Sequence, residues 1–318
     1  MTLLKETVEK LQAQTSVWKR NKAILMTQSL LLMATGSTHR CDELVSYWQA
    51  LKQNREIFSG LQEALLNTIG VLGMVYGIAP EKLMQRIALH RERMKEIELT
   101  GFFSSGSVYT KGTACYLALL MEDSVKVLPR VKLIMEGWKE DHPWVTGNND
   151  LFYAVLHALQ DGEPAKQIRL TEECFQALKR GGHAGWADEL QAAAQVVALW
   201  PDVDPERLEK RYRQISQLIS AHFSFFSPNI RPAVSLLAAS NCPASDTVAK
   251  MMSYYEELRT LGLSSRDTRL MLAANLAMLE DFDEEGELNA RLIFIVVGVI
   301  YIQEVAVMAA AAAAGGAT

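Results

Sequence analysis

The side chains here best suited to acid–base or metal chemistry are six histidines: His39, His90, His142, His157, His183 and His222. A zinc hydrolase needs two of them one helical turn apart with a glutamate between, and no HExxH or HxxxH pair occurs. His142 and His183 fall in equivalent inter-helix loops, one residue out of register with the period described below. They could converge on a metal, but anchoring a loop by hydrogen bonds is the simpler role for each.

Carboxylates are densest at Glu280, Asp281, Asp283, Glu284, Glu285 and Glu287. Such a cluster could hold a divalent cation, and it faintly resembles the carboxylate clusters of isoprenoid enzymes. Those require a second carboxylate set across a pocket, and none is found, so a solvated turn before the last helix is the plainer reading. Cys41, Cys115, Cys174 and Cys242 lie outside metal-ligand spacing of one another. Cys115 and Cys174 sit in apolar helical runs as small core residues, and this usage suits a reducing cytoplasm. Ser104-Ser105-Gly106-Ser107 could hold an anion on free N–H groups before a helix, although an ordinary capping loop is the favoured reading. No GxSxG, P-loop or dinucleotide fingerprint occurs. The sequence therefore carries no catalytic signature, and no cofactor or metal is expected.

The elements that must position these residues are helices. Ala118-Leu119, Ala158-Leu159 and Ala198-Leu199 recur every 40 residues, each ending an Ala- and Leu-rich stretch. Val71-Leu72 precedes them in phase, and Leu236-Leu237 and Ala277-Met278 follow. After each stretch comes a short polar turn, then a charged amphipathic helix, then a second loop carrying Gly, Ser, Asn or Pro. In the charged helices Ile168, Cys174, Phe175 and Leu178 approximate one stripe, as do Leu208, Tyr212, Ile215 and Leu218. Asn148 and Asp188 are candidate caps before second helices, and Asp204-Pro205 opens a first helix.

The pattern predicts an all-α fold of about seven helical-hairpin repeats with a period of about 40 residues. An α-solenoid is the favoured arrangement and a closed α/α toroid the alternative. One repeat domain over residues 1–318 is expected, with an N-terminal capping helix in 1–30 and an apolar C-terminal helix in 288–314. The run Leu292–Ile302 is too short to span a bilayer, and Gln303 and Glu304 follow it, so burial is favoured over insertion. The N-terminus lacks the apolar stretch of a signal peptide, so a cytoplasmic protein is expected.

The segment HPWVTGNNDLFYAVLHAL carries a Pro-Trp-x-Thr-Gly-x-x-Asp loop: Pro143, Trp144, Thr146, Gly147 and Asp150. With the helix after it and the chain length, this resembles the domain-of-unknown-function family 4003. The resemblance would cover most of the chain. It implies a bacterial, cytoplasmic helical protein and brings no activity, cofactor or site residue.

Stacked hairpins would gather the loops leading into second helices along one edge. That edge would collect Phe102, Phe103, Tyr109, Trp144, Asn148, Asn149, His183, Trp186, Phe225, Phe226, Asn229, Arg231 and Arg266. Aromatics with Asn and Arg suit recognition of a protein or peptide. The unit before Leu119 is about seven residues longer than its neighbours, and such insertions often mark a binding face. The competing reading is that Trp144, Trp186 and the Phe pairs plug the ends of hairpin cores. With a net charge of −5 and basic residues mixed among acids, nucleic acid is not an expected partner. The expectation is a non-enzymatic scaffold that binds a protein or peptide through Tyr109, Trp144, Asn148, Asn149, His183, Trp186, Asn229, Arg231 and Arg266. The alternative is an enzyme or small-molecule binder with a central pocket near His157, Asn275 or the 280–287 carboxylates.

Overall fold

Pro80, Pro164 and Pro205 each open a helix, because proline at the first helical position gives up an N–H that has no intrahelical acceptor there. Asp204 completes one such start: its Oδ1 accepts the Glu206 N–H at 3.0 Å. The other two expected caps differ. Asn149 stands at the N-cap position before the eighth helix without a side-chain bond, and Asp150 instead takes the Gly147 N–H at 2.7 Å. Asp188 lies inside the first turn of its helix, where a carboxylate favours the dipole without capping.

A computed structural model describes residues 3–14, 22–53, 63–97, 108–182, 187–200, 202–223 and 231–284. Among them are 14 α-helices, one short 3-10 turn (Thr38–Arg40) and no strand. The helices are α1 (Leu3–Gln14), α2 (Lys22–Ala34), α3 (Cys41–Gln53), α4 (Glu63–Val75), α5 (Pro80–Glu96), α6 (Val108–Leu120) and α7 (Leu128–Asp141). They continue as α8 (Asp150–Ala158), α9 (Pro164–Arg180), α10 (Ala187–Val197), α11 (Pro205–His222), α12 (Arg231–Ala239), α13 (Ala244–Thr260) and α14 (Arg266–Glu284). Residues 1–30, expected as one capping helix, hold α1 and the first part of α2. The expected apolar helix at 288–314 lies outside the described residues.

Contacts divide the chain into two compact units. One holds the described residues up to Met135 together with Gly147–Leu159. The other holds Glu136–Thr146 and the described residues from Gln160 onward.

In the first unit α1 packs on α2, α3 on α4, and α5 on α6. The amphipathic helices also touch in order, α1 to α3 to α5, and the apolar ones likewise, α2 to α4 to α6 to α8. The second unit repeats this: α9 with α10, α11 with α12, α13 with α14, then α9 to α11 to α13 and α10 to α12 to α14. Most described residues of the apolar helices are buried. Every residue of α8 is buried, and so are Ala118, Ala158 and Ala198. The α11 stripe runs Leu208, Tyr212, Ile215, Ile219, because alternating steps of four and three hold one face. Leu218, the expected last member, is turned outward and is 37% exposed.

Arginines reach the C-terminal ends of four of the apolar helices. The last carbonyls of a helix have no intrahelical donor, and that end is partially negative. Arg40 Nη1 donates to the Met74 carbonyl of α4 at 2.8 Å. Arg130 Nε donates to Ala158 at the end of α8 at 3.0 Å, and Arg211 Nε to Ala238 in α12 at 3.2 Å. Arg86 Nη1 reaches Ala118 in α6 at 3.4 Å. Arg130→Met keeps the aliphatic stem and removes the donor, so it should cost about 1–2 kcal/mol in a denaturant titration. No loss would mean that water replaces the guanidinium.

His90 on α5 is fully buried. Its Nε2 lies 3.2 Å from the Met121 carbonyl, which can only accept, so the ring proton sits on Nε2. Nδ1 then accepts from the Ser124 hydroxyl at 2.8 Å. Burial pushes its pKa below the ordinary value of 6.5, partly opposed by the Met121 hydrogen bond. The unfolded chain therefore takes up a proton that the folded ring resists. This contribution to stability is complete above about pH 6.5 and falls as pH drops toward the lowered folded value, with a slope of at most about 1.4 kcal/mol per pH unit. Denaturant midpoints between pH 7.5 and 5 should show a decline that His90→Gln reduces. An unchanged slope in that variant would contradict the assignment.

Candidate functional site

Helix α7 ends at Asp141, ahead of Pro143, because the residue before a proline is driven out of helical geometry. The five-residue turn that follows, His142 to Thr146, is held at both ends. The His142 N–H donates to the Trp138 carbonyl at 2.8 Å, and the Val145 and Thr146 N–H groups both donate to the His142 carbonyl at 3.2 and 3.1 Å. Thr146 Oγ1 donates toward the Trp138 and His142 carbonyls at 3.0 and 3.1 Å, adding to the backbone hydrogen bonds that both already accept. The same oxygen accepts from Gln191 Nε2 of α10 at 3.0 Å.

The His142 ring is fixed separately. Its Nε2 lies 2.7 Å from Glu172 Oε2 on α9, and its face lies on Phe175, with ring centroids 4.3 Å apart. Glu172 is held in turn, because its Oε1 accepts from Gln176 Nε2 at 2.7 Å. Gly137 on α7 faces Ile168 of α9, where a Cβ would collide with the isoleucine, so glycine lets the two helices approach closely. Both ends of the turn thus rest on packed helices of the second unit.

At the apex of this turn Trp144 is 96% exposed. Six residues earlier, Trp138 is 2% exposed and fills the core. The plug reading therefore fails for Trp144, because the bonds on both sides of it aim the indole at solvent. The last turn of α7 before it carries Lys139, Glu140 and Asp141, all exposed.

The other members of the expected edge are placed differently. Tyr109, Asn148 and Asn149 are half-buried and belong to the first unit, and burial raises the Tyr109 pKa. Trp144, Arg231 and Arg266 belong to the second. Arg231 opens α12 buried at 9% exposure, near enough to Tyr212 to act on its hydroxyl, so it offers no free guanidinium to a partner. Arg266 is exposed and lies 3.5 Å from Asp267. His183, Trp186 and Asn229 lie outside the described residues, as do Phe102, Phe103, Phe225, Phe226 and the Ser104–Ser107 segment.

The chemical candidates can be placed in part. Cys115 and Cys174 are core residues, 0% exposed, with thiols pushed up to about 12 by burial. Glu280 accepts from the Tyr254 hydroxyl at 2.8 Å. Among the described residues no three His, Cys, Asp or Glu side chains gather as metal ligands, and no helix is long and apolar enough to cross a membrane. His157 and Asn275 are both fully buried.

Sequence reading missed the supports of Trp144. Glu172, Gln176 and Gln191 stand 28 or more residues further along the chain, with no local signal. It also passed over Gln195 and Ser235, which with Asn275 recur every 40 residues in α10, α12 and α14 and are all fully buried. The period itself marks them as polar residues in one register of otherwise apolar helices.

The family model described as a protein of unknown function, DUF4003, matches residues 9–305, nearly the whole chain. The chain belongs to the DUF4003 family. In this DUF4003 protein the Pro-Trp-x-Thr-Gly-x-x-Asp segment, on which the resemblance rested, is the turn just described together with the start of α8. No curated protein and no solved structure gives a significant match.

Proposed function

We propose that this DUF4003 protein is a non-enzymatic α-solenoid that docks a protein or peptide partner, with Trp144 as the anchor. The observation that carries the reading is a tryptophan 96% exposed on a turn fixed at both ends. Exposing an indole forgoes the burial that normally stabilises one, by roughly 1.5–3 kcal/mol for a large apolar side chain. Tryptophan is also the residue most enriched where binding energy concentrates, and a pre-ordered turn loses little entropy on association. The in-order contacts of amphipathic and apolar helices within each unit support the solenoid form. A cytoplasmic setting belongs to the same reading, and the four free cysteines agree with it.

The central-pocket enzyme finds no support in His157 or Asn275, since both are sealed in helix packing. Affinity purification of the full chain from its native cell tests the proposal. The wild type should recover a partner that Trp144→Ala recovers at least ~10-fold less well. Equal recovery by both would overturn it.

A further inference from the structure

We infer that α12 is a point of flexure built into the second unit, because the apolar helices there each bury a polar side chain at one register. At the 40-residue interval stand Cys115 in α6, Val155 in α8, Gln195 in α10, Ser235 in α12 and Asn275 in α14, all 0% exposed. The first two belong to the first unit and behave as apolar side chains. The last three are polar and belong to the second unit.

The two kinds of position resist opening by different amounts. Opening an apolar position puts hydrocarbon into water, which is unfavourable in proportion to the area exposed. Opening a polar one returns an amide or hydroxyl to a solvent that bonds it fully. Ser235 gains most from this, since its hydroxyl is buried without a hydrogen-bond partner. By contrast, the buried Ser29 hydroxyl in α2 donates to the Leu25 carbonyl at 2.9 Å, and Ser240 donates to the Leu237 carbonyl at 3.1 Å. Gln191, one turn before Gln195 on α10, also has a buried Oε1 without a donor, although its Nε2 is bonded to Thr146. α12 packs against α10, α11 and α14, so helices of the same polar register lie on both sides of it. Packing alone would make this helix one of the last to open. Its polar register makes it open ahead of the amphipathic helix α11 beside it.

Native-state hydrogen exchange on the full-length protein tests this, read by mass spectrometry at several low denaturant concentrations. Relative to their unprotected rates, the hydrogen-bonded amides of α12 should exchange about 10-fold faster than those of α11, whereas in the first unit those of α6 should exchange no faster than those of α5. Ser235→Ala removes the hydroxyl without adding bulk, and should slow exchange in α12 about 5–10-fold while leaving α6 unchanged. Cys115→Ser, the opposite change at the same register, should speed exchange in α6. Exchange in α12 slower than in α11 would overturn the inference. So would a Ser235→Ala variant whose α12 exchange is unchanged, faster, or slowed equally with every other helix of the second unit.

Discussion

Trp138→Ala should cost about 3–5 kcal/mol of stability, whereas Trp144→Ala should change it by less than about 0.5 kcal/mol. The two indoles are six residues apart, yet one is 2% and the other 96% exposed. Removing Trp138 leaves a cavity at the end of α7 and withdraws packing from the helix whose carbonyl holds Thr146. Removing Trp144 takes away a side chain that touches almost nothing in the folded chain. Urea denaturation of both variants measures the contrast. A large loss in Trp144→Ala would show that the indole is a core plug after all, and the docking proposal would fall with it. The turn should also survive Trp144→Ala, because its bonds run through His142, Thr146, Glu172 and Gln191, so a binding defect in that variant reads directly on the indole.

Ala118→Phe should destabilise the first unit by about 1–3 kcal/mol and should not be relieved by local adjustment. Ala118 is fully buried on α6, which packs against α4, α5 and α8, and its carbonyl is the acceptor for Arg86. A phenyl ring there should displace a neighbouring helix, because protein interiors are close-packed. Ala118→Gly, which adds no bulk, provides the control, with a cost near the helix-propensity difference of about 1 kcal/mol. Should the phenylalanine variant prove as stable as the wild type, α6 would not be sandwiched as described.

Much of this packing was legible because the Ala-Leu dipeptides recur at a fixed interval. Small residues at one register mark where apolar helices meet, and Ala118, Ala158 and Ala198 are all buried. Asp204-Pro205 marked a helix start for a local reason, and Pro80 and Pro164 open helices in the same way. The stripe on α11 was misread only at its end, where one residue separates the buried Ile219 from the outward Leu218.

The site was harder to read. An aromatic residue in a loop packs inward or stands free according to side chains far along the chain. For Trp144 that choice is made by Phe175, which lies on the apolar stripe of its helix, and by Glu172 and Gln191, neither of which carries a periodic mark. Arg231 shows the converse error: a charged residue before an apolar stretch reads as exposed, but its place at the start of α12 buries it.

The central claim is that Trp144 meets a partner in the cell. Placing a photo-crosslinking phenylalanine analogue at position 144 of the full chain, and irradiating native cells, tests it most directly. The account predicts a discrete covalent adduct to another macromolecule, absent when the analogue is placed at the exposed Lys166 on α9. The same adduct pattern from both positions, or none from position 144, would contradict it.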